Sequence, residues 1–493
     1  MPNHLRIDFQ EGDLTSLHPH DLMIYLRGIS IGKTLFEGLT RIDEQGKPVL
    51  AGAKSVDVSP SGLCYTFKLR ENRWSDGTPV TAFQYEAAWK EALAPVSLCP
   101  RPDLLYMLKN AAAVKKGEAP IGELGVKAVD AGTLFVELGR PSPYFLELLA
   151  QPIAAPLQKP AERTMKAFNG PFQLDKWERS ASLTLKPNPY FWNQKQVSLE
   201  RIEVSIVQDP QTAFSLYEQK QFDWIGVPLC ALSVEQIRYL EEKKELLSKP
   251  MDRSFWLFLN TQHGPLSSPS IRKALSLAID RDVIVRNLLI GNKPLQKPLP
   301  LSLLPIQAKN PLKTNIAEAK RLFTAGLKEL GLTQESFPPL VITYSPQAGR
   351  KQLAEYFQDA WTRALGVQVQ LEPQEWNVLR TNLSNGDFKI SGCFEASFYH
   401  DPMELLDRMA HLDTRNFPKW ESALYQQKVG MANDELNLDN RMKLLSEAEE
   451  ILIDQMPFIP ISSDKFLFAH NPKLRGYRFD CVGSVDFSYA SLK

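Results

Sequence analysis

The chain has 493 residues, 43% of them hydrophobic and 23% charged, with 57 basic and 57 acidic side chains. This length exceeds one ordinary domain and predicts about three domains or sub-domains. The zero net charge disfavours a general nucleic-acid binder, which needs a basic surface, and the hydrophobic content disfavours disorder.

The N-terminal residues show no targeting signal. The first ten, MPNHLRIDFQ, lack a cationic segment followed by an apolar one, so no signal peptide is visible. The most apolar stretch, residues 145–157, contains one glutamate and two prolines and is shorter than the roughly 20 apolar residues that cross a bilayer. We therefore expect either a cytosolic protein or one whose leader has been removed.

Strand and helix signals are mixed through the first half of the chain. Residues 63–69 alternate and are rich in β-forming side chains, which predicts a strand. Residues 80–94 predict a helix with Thr81 as its N-cap. Two further strands are predicted at 182–186 and 202–207.

The second half begins with two helical patterns separated by a proline-rich segment. Residues 269–289 predict one long helix, and residues 314–330 predict another. Residues 298–312 lie between them and predict an extended surface connection.

A β–α–β pattern follows. Residues 339–344 predict a strand, residues 350–365 a helix with Leu353 and Phe357 on one face, and residues 367–371 a second strand. Such a unit favours a parallel pair in an α/β sheet. Toward the C-terminus the sequence predicts a helix at 435–455 and a strand at 465–469.

One short motif points to an enzyme. Residues 28–32, Gly-Ile-Ser-Ile-Gly, fit the G-x-S-x-G pattern of serine hydrolases, with Ser30 as the nucleophile. No firm strand leads into the motif, and isoleucines flank the serine where small residues are usual. A serine hydrolase using Ser30 is therefore only the alternative from another functional class.

Histidines and cysteines give no strong metal pattern. His18 and His20 could share one side of a strand and meet a metal, but no H-E-x-x-H motif or carboxylate-rich cluster accompanies them. We therefore favour a structural or surface role for both. The five cysteines are widely spaced and odd in number, which indicates core thiols rather than a disulfide framework. The sequence predicts neither a bound metal nor a cofactor.

A long segment carries a family resemblance. Residues 58–95, VSPSGLCYTFKLRENRWSDGTPVTAFQYEAAWKEALAP, resemble the signature of extracytoplasmic solute-binding proteins of family 5. These are the oligopeptide-, dipeptide-, nickel- and glutathione-binding components of bacterial ABC importers. Other blocks resemble the family in the same order, at 35–39, 169–172, 185–192, 258–284, 375–376 and 401–403.

The resemblance implies an α/β fold with the two lobes of a class II periplasmic binding protein. The lobes would be joined by a hinge of two crossing strands, and an extra sub-domain would be present. Lobe I would comprise residues 1–35, 165–250 and 469–493, with the extra sub-domain at 36–164. Lobe II would comprise residues 251–468.

The resemblance also implies a receptor rather than an enzyme. Such a receptor captures short peptides by lobe closure and delivers them to the membrane permease of an ABC transporter. It would be a monomer in the periplasm or cell envelope, with or without a lipid anchor, and would not bind nucleic acid.

Two charged anchors of the family are missing from this sequence. Relatives hold the ligand ammonium with an Asp four residues before an acidic-Pro landmark, and counting back from Pro402 places Phe398 there. Some relatives carry an arginine for the ligand carboxylate six residues earlier, where this chain has Gly392. Three interpretations stay open. Glu395 replaces the Asp, the ligand is a modified or γ-linked peptide such as glutathione or a non-peptide solute, or affinity is weak and the function altered.

The resemblance implies a set of ligand-binding residues. Trp376 and Trp256 match positions that often face the ligand, and Phe255 should face away from Trp256 if this segment is a strand. Met23 and Tyr25 belong to a stretch that often contributes to the cleft. The predicted set is completed by Arg253, for a ligand carboxylate, and by Glu395, Phe398 and Tyr399.

Overall fold

The computed structural model describes residues 3–10, 12–159, 162–346, 349–413 and 415–493. Its contacts divide the chain into two units. Unit 1 comprises Met1–Lys249 and Phe466–Lys493, and unit 2 comprises Pro250–Lys465. The predicted limits of lobe II, 251 and 468, lie within three residues of the limits of unit 2. The predicted separation of a sub-domain at 36–164 stays a prediction.

The strands follow in chain order. The first group is β1 (His4–Asp8), β2 (Thr40–Ile42), β3 (Pro48–Leu50), β4 (Ala53–Val58), β5 (Cys64–Leu69), β6 (Val126–Asp130), β7 (Thr133–Glu137), β8 (Phe172–Glu178), β9 (Ser182–Pro187), β10 (Arg201–Ser205) and β11 (Trp224–Gly226). The second group is β12 (Leu247–Leu259), β13 (Lys293–Pro294), β14 (Leu340–Tyr344), β15 (Val369–Pro373), β16 (Ile390–Ala396) and β17 (Phe458–His470). The last is β18 (Leu474–Arg475), β19 (Arg478–Phe479), β20 (Val485–Asp486) and β21 (Ser491–Leu492).

The helices are mostly short. In chain order they are α1 (Leu26–Leu35), α2 (Ala82–Leu93), α3 (Ala111–Lys116), α4 (Phe145–Leu148), α5 (Pro210–Glu218), α6 (Val234–Glu242), α7 (Pro269–Leu277), α8 (Arg281–Asn287), α9 (Ile316–Leu330), α10 (Arg350–Leu365), α11 (Trp376–Asn385), α12 (Met403–Leu406), α13 (Ala423–Asp434) and α14 (Leu438–Gln455). Single 3-10 turns occur at Asp21–Ile24, Pro102–Leu105, Ile121–Glu123, Pro152–Ala154, Gln194–Gln196, Gly264–Ser267 and Asp407–Met409. Within the described ranges, no helix combines the length and apolarity needed to cross a bilayer.

Unit 1 contains two four-stranded sheets. One has the strand order β1-β10-β9-β8, and only its β1–β10 pair is parallel. The other has the order β4-β5-β7-β6 and is antiparallel throughout. Leu183 and Leu185 of β9 are buried while the residues between and beside them are more exposed, as the period of two in a half-buried strand requires. The predicted strands at 63–69, 182–186 and 202–207 are thus confirmed, with small shifts of their ends.

The predicted helix at 80–94 is confirmed as α2. Thr81 is its N-cap, and the Thr81 and Gln84 side chains form a capping box across the first turn. This arrangement satisfies backbone N–H groups that have no partner inside the helix. The buried face of α2, which includes Trp89, is thereby held in a fixed register.

Unit 2 is built on a mixed sheet. Its strands follow the order β17-β12-β16-β14-β15, and β13 pairs with β17. The strand β14 is parallel to both β15 and β16, whereas β12 and β16 are antiparallel. Helix α10 connects β14 to β15, so the predicted β–α–β unit is confirmed.

Three elements of unit 2 differ from their predictions. The predicted helix 269–289 is two helices, because the Asp280 side chain accepts a hydrogen bond from Val283 N at 3.1 Å and starts α8 anew. The segment 298–312 is irregular but not a surface connection, since Leu299 and Leu304 are fully buried. The C-terminal strand begins at Phe458 rather than at 465.

Candidate functional site

An open depression in unit 2 lies at the carboxyl end of β14. Residues of β12, β14, β16, α10 and α11 line it, and it leaves about 370 Å³ that no protein atom fills, part of it open to solvent. Ligands of α/β sheets bind in crevices outside the carboxyl ends of the strands. We therefore take this depression as the candidate ligand site of unit 2.

Arg350 is the one cation among the described residues that line the depression. Its guanidinium carbon lies 4.9 Å from the ring centroids of both Phe255 and Phe394. The Nη1 atom is buried and has no hydrogen-bond partner in the described part of the chain. Burial, and to a smaller extent Arg253, lowers the pKa of Arg350 to about 10. The group stays charged at neutral pH, so the partner it lacks is an anion.

Ser345 adds a second polar atom to the same depression. The side chain is buried, and its hydroxyl has no hydrogen-bond partner among the described residues. Much of the remaining lining is apolar, including Ile342, Leu353 and Phe357. A guanidinium and a hydroxyl among apolar side chains can bind a carboxylate that belongs to a larger organic ligand.

Gly392 occupies the position at which some relatives carry an arginine, and in this chain the cation of the depression is Arg350 of α10 instead. It pairs with Leu257 across β12 and β16, and a Cβ atom built on it would lie 2.7 Å from the Phe255 ring. Phe255 therefore occupies the space in which a side chain at 392 would start. An arginine at this position, which the family resemblance allows, has no room here, and Arg350 brings positive charge from the neighbouring helix.

Trp376 is the predicted ligand-binding residue that lines the depression. It is the first residue of α11 and is partly exposed. The preceding Glu375 carboxylate accepts hydrogen bonds from Asn377 N at 2.8 Å and Val378 N at 3.2 Å. This cap fixes where α11 begins and so positions Trp376.

Arg253 packs beside the site but its charge is already paired. Its guanidinium carbon lies 4.2 Å from the Phe394 ring centroid, and its Nη1 donates to Asp464 Oδ2 at 2.7 Å. Arg253 and Arg350 thus share one aromatic ring, and only Arg253 has a carboxylate partner among the described residues. The predicted carboxylate role of Arg253 stays a prediction.

Trp256 and Phe255 lie on opposite faces of β12. Trp256 is 1% exposed, stacks on Phe458 with ring centroids 4.1 Å apart, and donates from Nε1 to Pro298 O at 3.0 Å. Phe255 lines the depression. The structure therefore packs Trp256, which was predicted to face the ligand, against Phe458, and it places the neighbouring Phe255 in the candidate site.

The segment 395–399 is packed into unit 2 rather than into the depression. Glu395 forms an ion pair with Arg408, which also binds Glu404, and Glu395 Oε1 accepts a hydrogen bond from the Cys393 thiol at 3.1 Å. Phe398 and Tyr399 are both buried. None of the predicted residues Glu395, Phe398 and Tyr399 lines the depression, and their ligand contacts stay predictions.

Met23 and Tyr25 belong to unit 1. Met23 is buried within the 3-10 turn Asp21–Ile24. Tyr25 is half-exposed, and the Arg27 guanidinium carbon lies 4.5 Å from its ring centroid. Their predicted contribution to ligand binding also stays a prediction.

The serine motif does not form a nucleophile elbow. An elbow places its serine on a sharp turn between a strand and a helix. Ser30 instead lies inside α1, where its buried hydroxyl donates to Leu26 O at 2.8 Å and accepts from Val485 N at 3.0 Å. The elbow interpretation is therefore wrong at the level of geometry.

Arg350 and Ser345 were absent from the sequence-based set. A signal for Arg350 was present, because residues 350, 353 and 357 follow the helical spacing that puts them on one face of α10. A cation on the apolar face of a helix is unusual unless something pairs with it. Ser345 carries no such signal.

The chain was compared with known families and proteins. The family model of bacterial extracellular solute-binding proteins, family 5 Middle, matches residues 47–417. The chain is 32% identical to the oligopeptide-binding protein OppA of Bacillus subtilis (strain 168), over 97% of this chain and 91% of that protein. It is 28% identical to the probable deoxycholate-binding periplasmic protein YgiS of Escherichia coli (strain K12), over 90% of this chain and 85% of that protein.

A solved structure is similar over the full length. The substrate-binding domain of an oligopeptide ABC transporter from Bacillus anthracis superposes with a TM-score of 0.83 at 28% identity. The match covers 100% of this chain and 99% of that one.

Proposed function

Because this chain belongs to the bacterial extracellular solute-binding proteins of family 5, we propose that it captures short peptides for an ABC importer. The observation that carries the proposal is the depression of unit 2, where the partly buried Arg350 has a buried Nη1 atom without a hydrogen-bond partner among the described residues. The two Bacillus relatives, an oligopeptide-binding protein and the substrate-binding domain of an oligopeptide transporter, support the same ligand class.

A peptide fits the chemistry of this depression. Its terminal carboxylate would accept hydrogen bonds from Arg350 and Ser345, and the last side chain would pack on apolar residues and on Trp376. A charge-assisted hydrogen bond in a partly buried site is stronger than one in water. The ligand carboxylate would thereby offset the cost of burying the Arg350 charge.

A second candidate ligand class follows from the acidic side chains. In unit 2, Glu395 is paired with Arg408, Asp401 with Arg441, and Asp464 with Arg253. A ligand ammonium would have to compete with these cations. This favours, as the alternative, a carboxylate ligand without a free amine, such as an N-modified peptide or a non-peptide solute. Deoxycholate, the probable ligand of the Escherichia coli relative, is a carboxylate of this kind.

The carboxylate site is tested with the full chain and a tripeptide in free-acid and C-amidated forms. Calorimetric titration should show that amidation weakens binding tenfold to a hundredfold, or about 1.4 to 2.8 kcal/mol. Arg350→Gln should weaken binding of the free acid to the same extent, and should then bind both forms alike. Arg363→Gln is the matched control, since this arginine is also on α10 but is exposed and paired with Asp359.

An unchanged affinity of the Arg350→Gln protein for the free acid would refute the site assignment. N-acetylation of the peptide separates the two ligand classes without altering the protein. Weaker binding of the acetylated peptide indicates a free-amine peptide as the natural ligand. Equal binding favours the second candidate, which is then examined with deoxycholate.

The wider biological role is part of the same proposal. The protein would act outside the cytoplasm as a monomer, anchored by a lipid or free, and would hand its ligand to a membrane permease without chemical change. Lobe closure on the ligand is implied by the family resemblance and stays a prediction. Small-angle scattering with and without peptide checks closure, and light scattering checks the monomer.

A further inference from the structure

Two buried histidines that are close in sequence meet a glutamate that is remote from both, within unit 1. His18 and His20 lie just before the 3-10 turn Asp21–Ile24, and Glu91 is on α2. Both histidines are 0% exposed, and their ring centroids are 4.9 Å apart. One ligand atom from each of the three side chains can be chosen so that all lie within 4.8 Å of one another.

Two buried nitrogen atoms of this cluster lack hydrogen bonds. His18 Nε2 and His20 Nε2 are buried and have no hydrogen-bond partner among the residues the structure describes. The other ring nitrogen of His20, Nδ1, lies 2.8 Å from Glu91 Oε2 and pairs with that carboxylate. Buried polar atoms are nearly always satisfied, so the cluster calls for a further partner.

The donor set and the local charge both favour a divalent metal. Two imidazole nitrogens and a carboxylate oxygen are typical ligands of zinc and of similar borderline metals. Around the cluster, Arg163 contacts Glu91 Oε1 at 3.2 Å and forms an ion pair with Asp21. One guanidinium against two carboxylates leaves one net negative charge. By holding Oε1, Arg163 also leaves Glu91 Oε2 directed at the histidines.

The one hydrogen bond that the His18 ring makes within the described residues is weak. Its Nδ1 accepts a hydrogen bond from His20 N at 3.3 Å, near the long limit for such a bond. Coordination through Nδ1 replaces this bond, and coordination through Nε2 moves the ring proton to Nδ1 and breaks it. Either route costs one weak hydrogen bond.

We propose that His18, His20 and Glu91 form a binding site for one divalent transition-metal ion of the zinc class, with its fourth position open to water. The ion joins the segment before the 3-10 turn to α2, two parts of unit 1 separated by more than seventy residues. Its role is structural and independent of ligand binding in unit 2.

The test uses the full chain after removal of metal by chelation. Titration with Zn²⁺ should show one saturable site at micromolar concentration, and Zn²⁺ should raise the melting temperature by mass action. His18→Gln, His20→Gln and Glu91→Gln should each weaken Zn²⁺ binding at least tenfold. His411→Gln is the control, since this histidine is exposed and belongs to unit 2.

Cobalt gives a readout that needs no variant. The unaltered chain with one equivalent of Co²⁺ should show the intense visible bands of a four-coordinate site, and Zn²⁺ should abolish them. Variants that bind Zn²⁺ as the parent does would overturn the proposal. If the variants fail to fold, the absence of a saturable one-to-one Co²⁺ spectrum in the unaltered chain would overturn it instead.

Discussion

At the scale of single residues, Gly392 and Phe255 determine how the Arg350 guanidinium is packed in the depression of unit 2. The β12–β16 register puts Gly392 opposite Leu257, and the Phe255 ring lies over the glycine. The same ring is one of the two aromatic contacts of the Arg350 guanidinium. A glycine on one strand thus allows an aromatic ring on the next, and the ring in turn supports the cation of α10.

Gly392→Ala should be destabilising because its new Cβ would lie 2.7 Å from the Phe255 ring. We expect a loss of about 1 to 3 kcal/mol in the free energy of unfolding, measured by urea denaturation. Shortening the ring in the double variant Gly392→Ala/Phe255→Leu should recover part of this loss. The control is Gly430→Ala on α13, where an added Cβ would meet no atom within 4 Å apart from the local helix backbone, so the change should be neutral or stabilising. Equal effects at both glycines would contradict the packing argument.

Asp8 is a second residue whose surroundings determine its chemistry. It ends β1 and is fully buried, and neither carboxylate oxygen has a hydrogen-bond partner in the described part of the chain. Burial raises the pKa of Asp8 to about 7, against a smaller opposing effect of the Cys230 thiol. Ionising this carboxyl in the folded protein is therefore costly.

The raised pKa of Asp8 predicts a pH-dependent stability. Between the unperturbed pKa of 3.8 and the folded value of about 7, the folded protein holds a proton that the unfolded chain has lost. The free energy of unfolding should therefore fall as pH rises through this window. Asp8→Asn should stabilise the protein by about 2 to 3 kcal/mol more at pH 8 than at pH 5, measured by thermal or urea denaturation.

The exposed Asp57, on β4, provides the control for this measurement. Asp57→Asn should change stability equally at the two pH values. An Asp8→Asn protein whose stability gain is the same at pH 5 and pH 8 would show that the carboxyl titrates normally in the folded state.

Among the elements, the junction of α7 and α8 shows how one side chain divides a helix. The Asp280 carboxylate caps α8 through Val283 N at 3.1 Å, and Asp280 N donates to the Tyr356 hydroxyl at 3.0 Å. The backbone of Asp280 is extended rather than helical. The helix is therefore interrupted at Asp280, and the continuous helical pattern of the sequence does not reveal this interruption.

Asp280→Ala should cost about 1 kcal/mol of unfolding free energy, because it removes the side-chain cap of α8. The measurement is urea denaturation of the full chain. Asp282→Ala is the comparison, since this aspartate is exposed in the first turn of α8 and contributes only its charge. A loss at Asp280 no larger than at Asp282 would show that the cap is unimportant.

Periodicity and capping residues in the sequence predicted the helices and strands better than they predicted the residues of the candidate ligand site. The unit β14–α10–β15 and the capped helix α2 follow from periodicity and capping residues that are close in sequence. The burial of residues 298–312 does not follow from such local patterns, because it depends on Lys297. The Lys297 ammonium donates to Leu304 O and Ile306 O and pairs with Glu449 from α14. Long-range partners of this kind leave no periodic signal.

The candidate site divides in the same way. Trp376 was predicted from the motif in which it stands, and the structure places it in the depression. The helical spacing placed Arg350 on an apolar face, but only the fold shows that its Nη1 atom has no hydrogen-bond partner among the described residues. The cluster around His18 was set aside for the same reason, since Glu91 is remote in sequence.

For the whole molecule, the chain path makes unit 2 an insertion in unit 1. The chain enters unit 2 within β12 and returns to unit 1 within β17. The hydrophobic core of unit 1 combines Leu5 and Ile7 of the first strand with Phe468 and Phe487 of the returning segment. Trp224 stacks on Phe468 with ring centroids 4.6 Å apart and planes 4° from parallel.

This path sets an order of events during translation. Residues 250–465 are synthesised as one uninterrupted stretch, so all residues of unit 2 exist before residues 466–493 have been made. The earlier-born residues 1–249 must meanwhile keep Trp224 and its apolar neighbours uncovered, since the Phe468 ring that covers them is still unsynthesised. The half of the protein made first is thus the half completed last, and a nascent chain halted near residue 465 would expose a surface prone to aggregation.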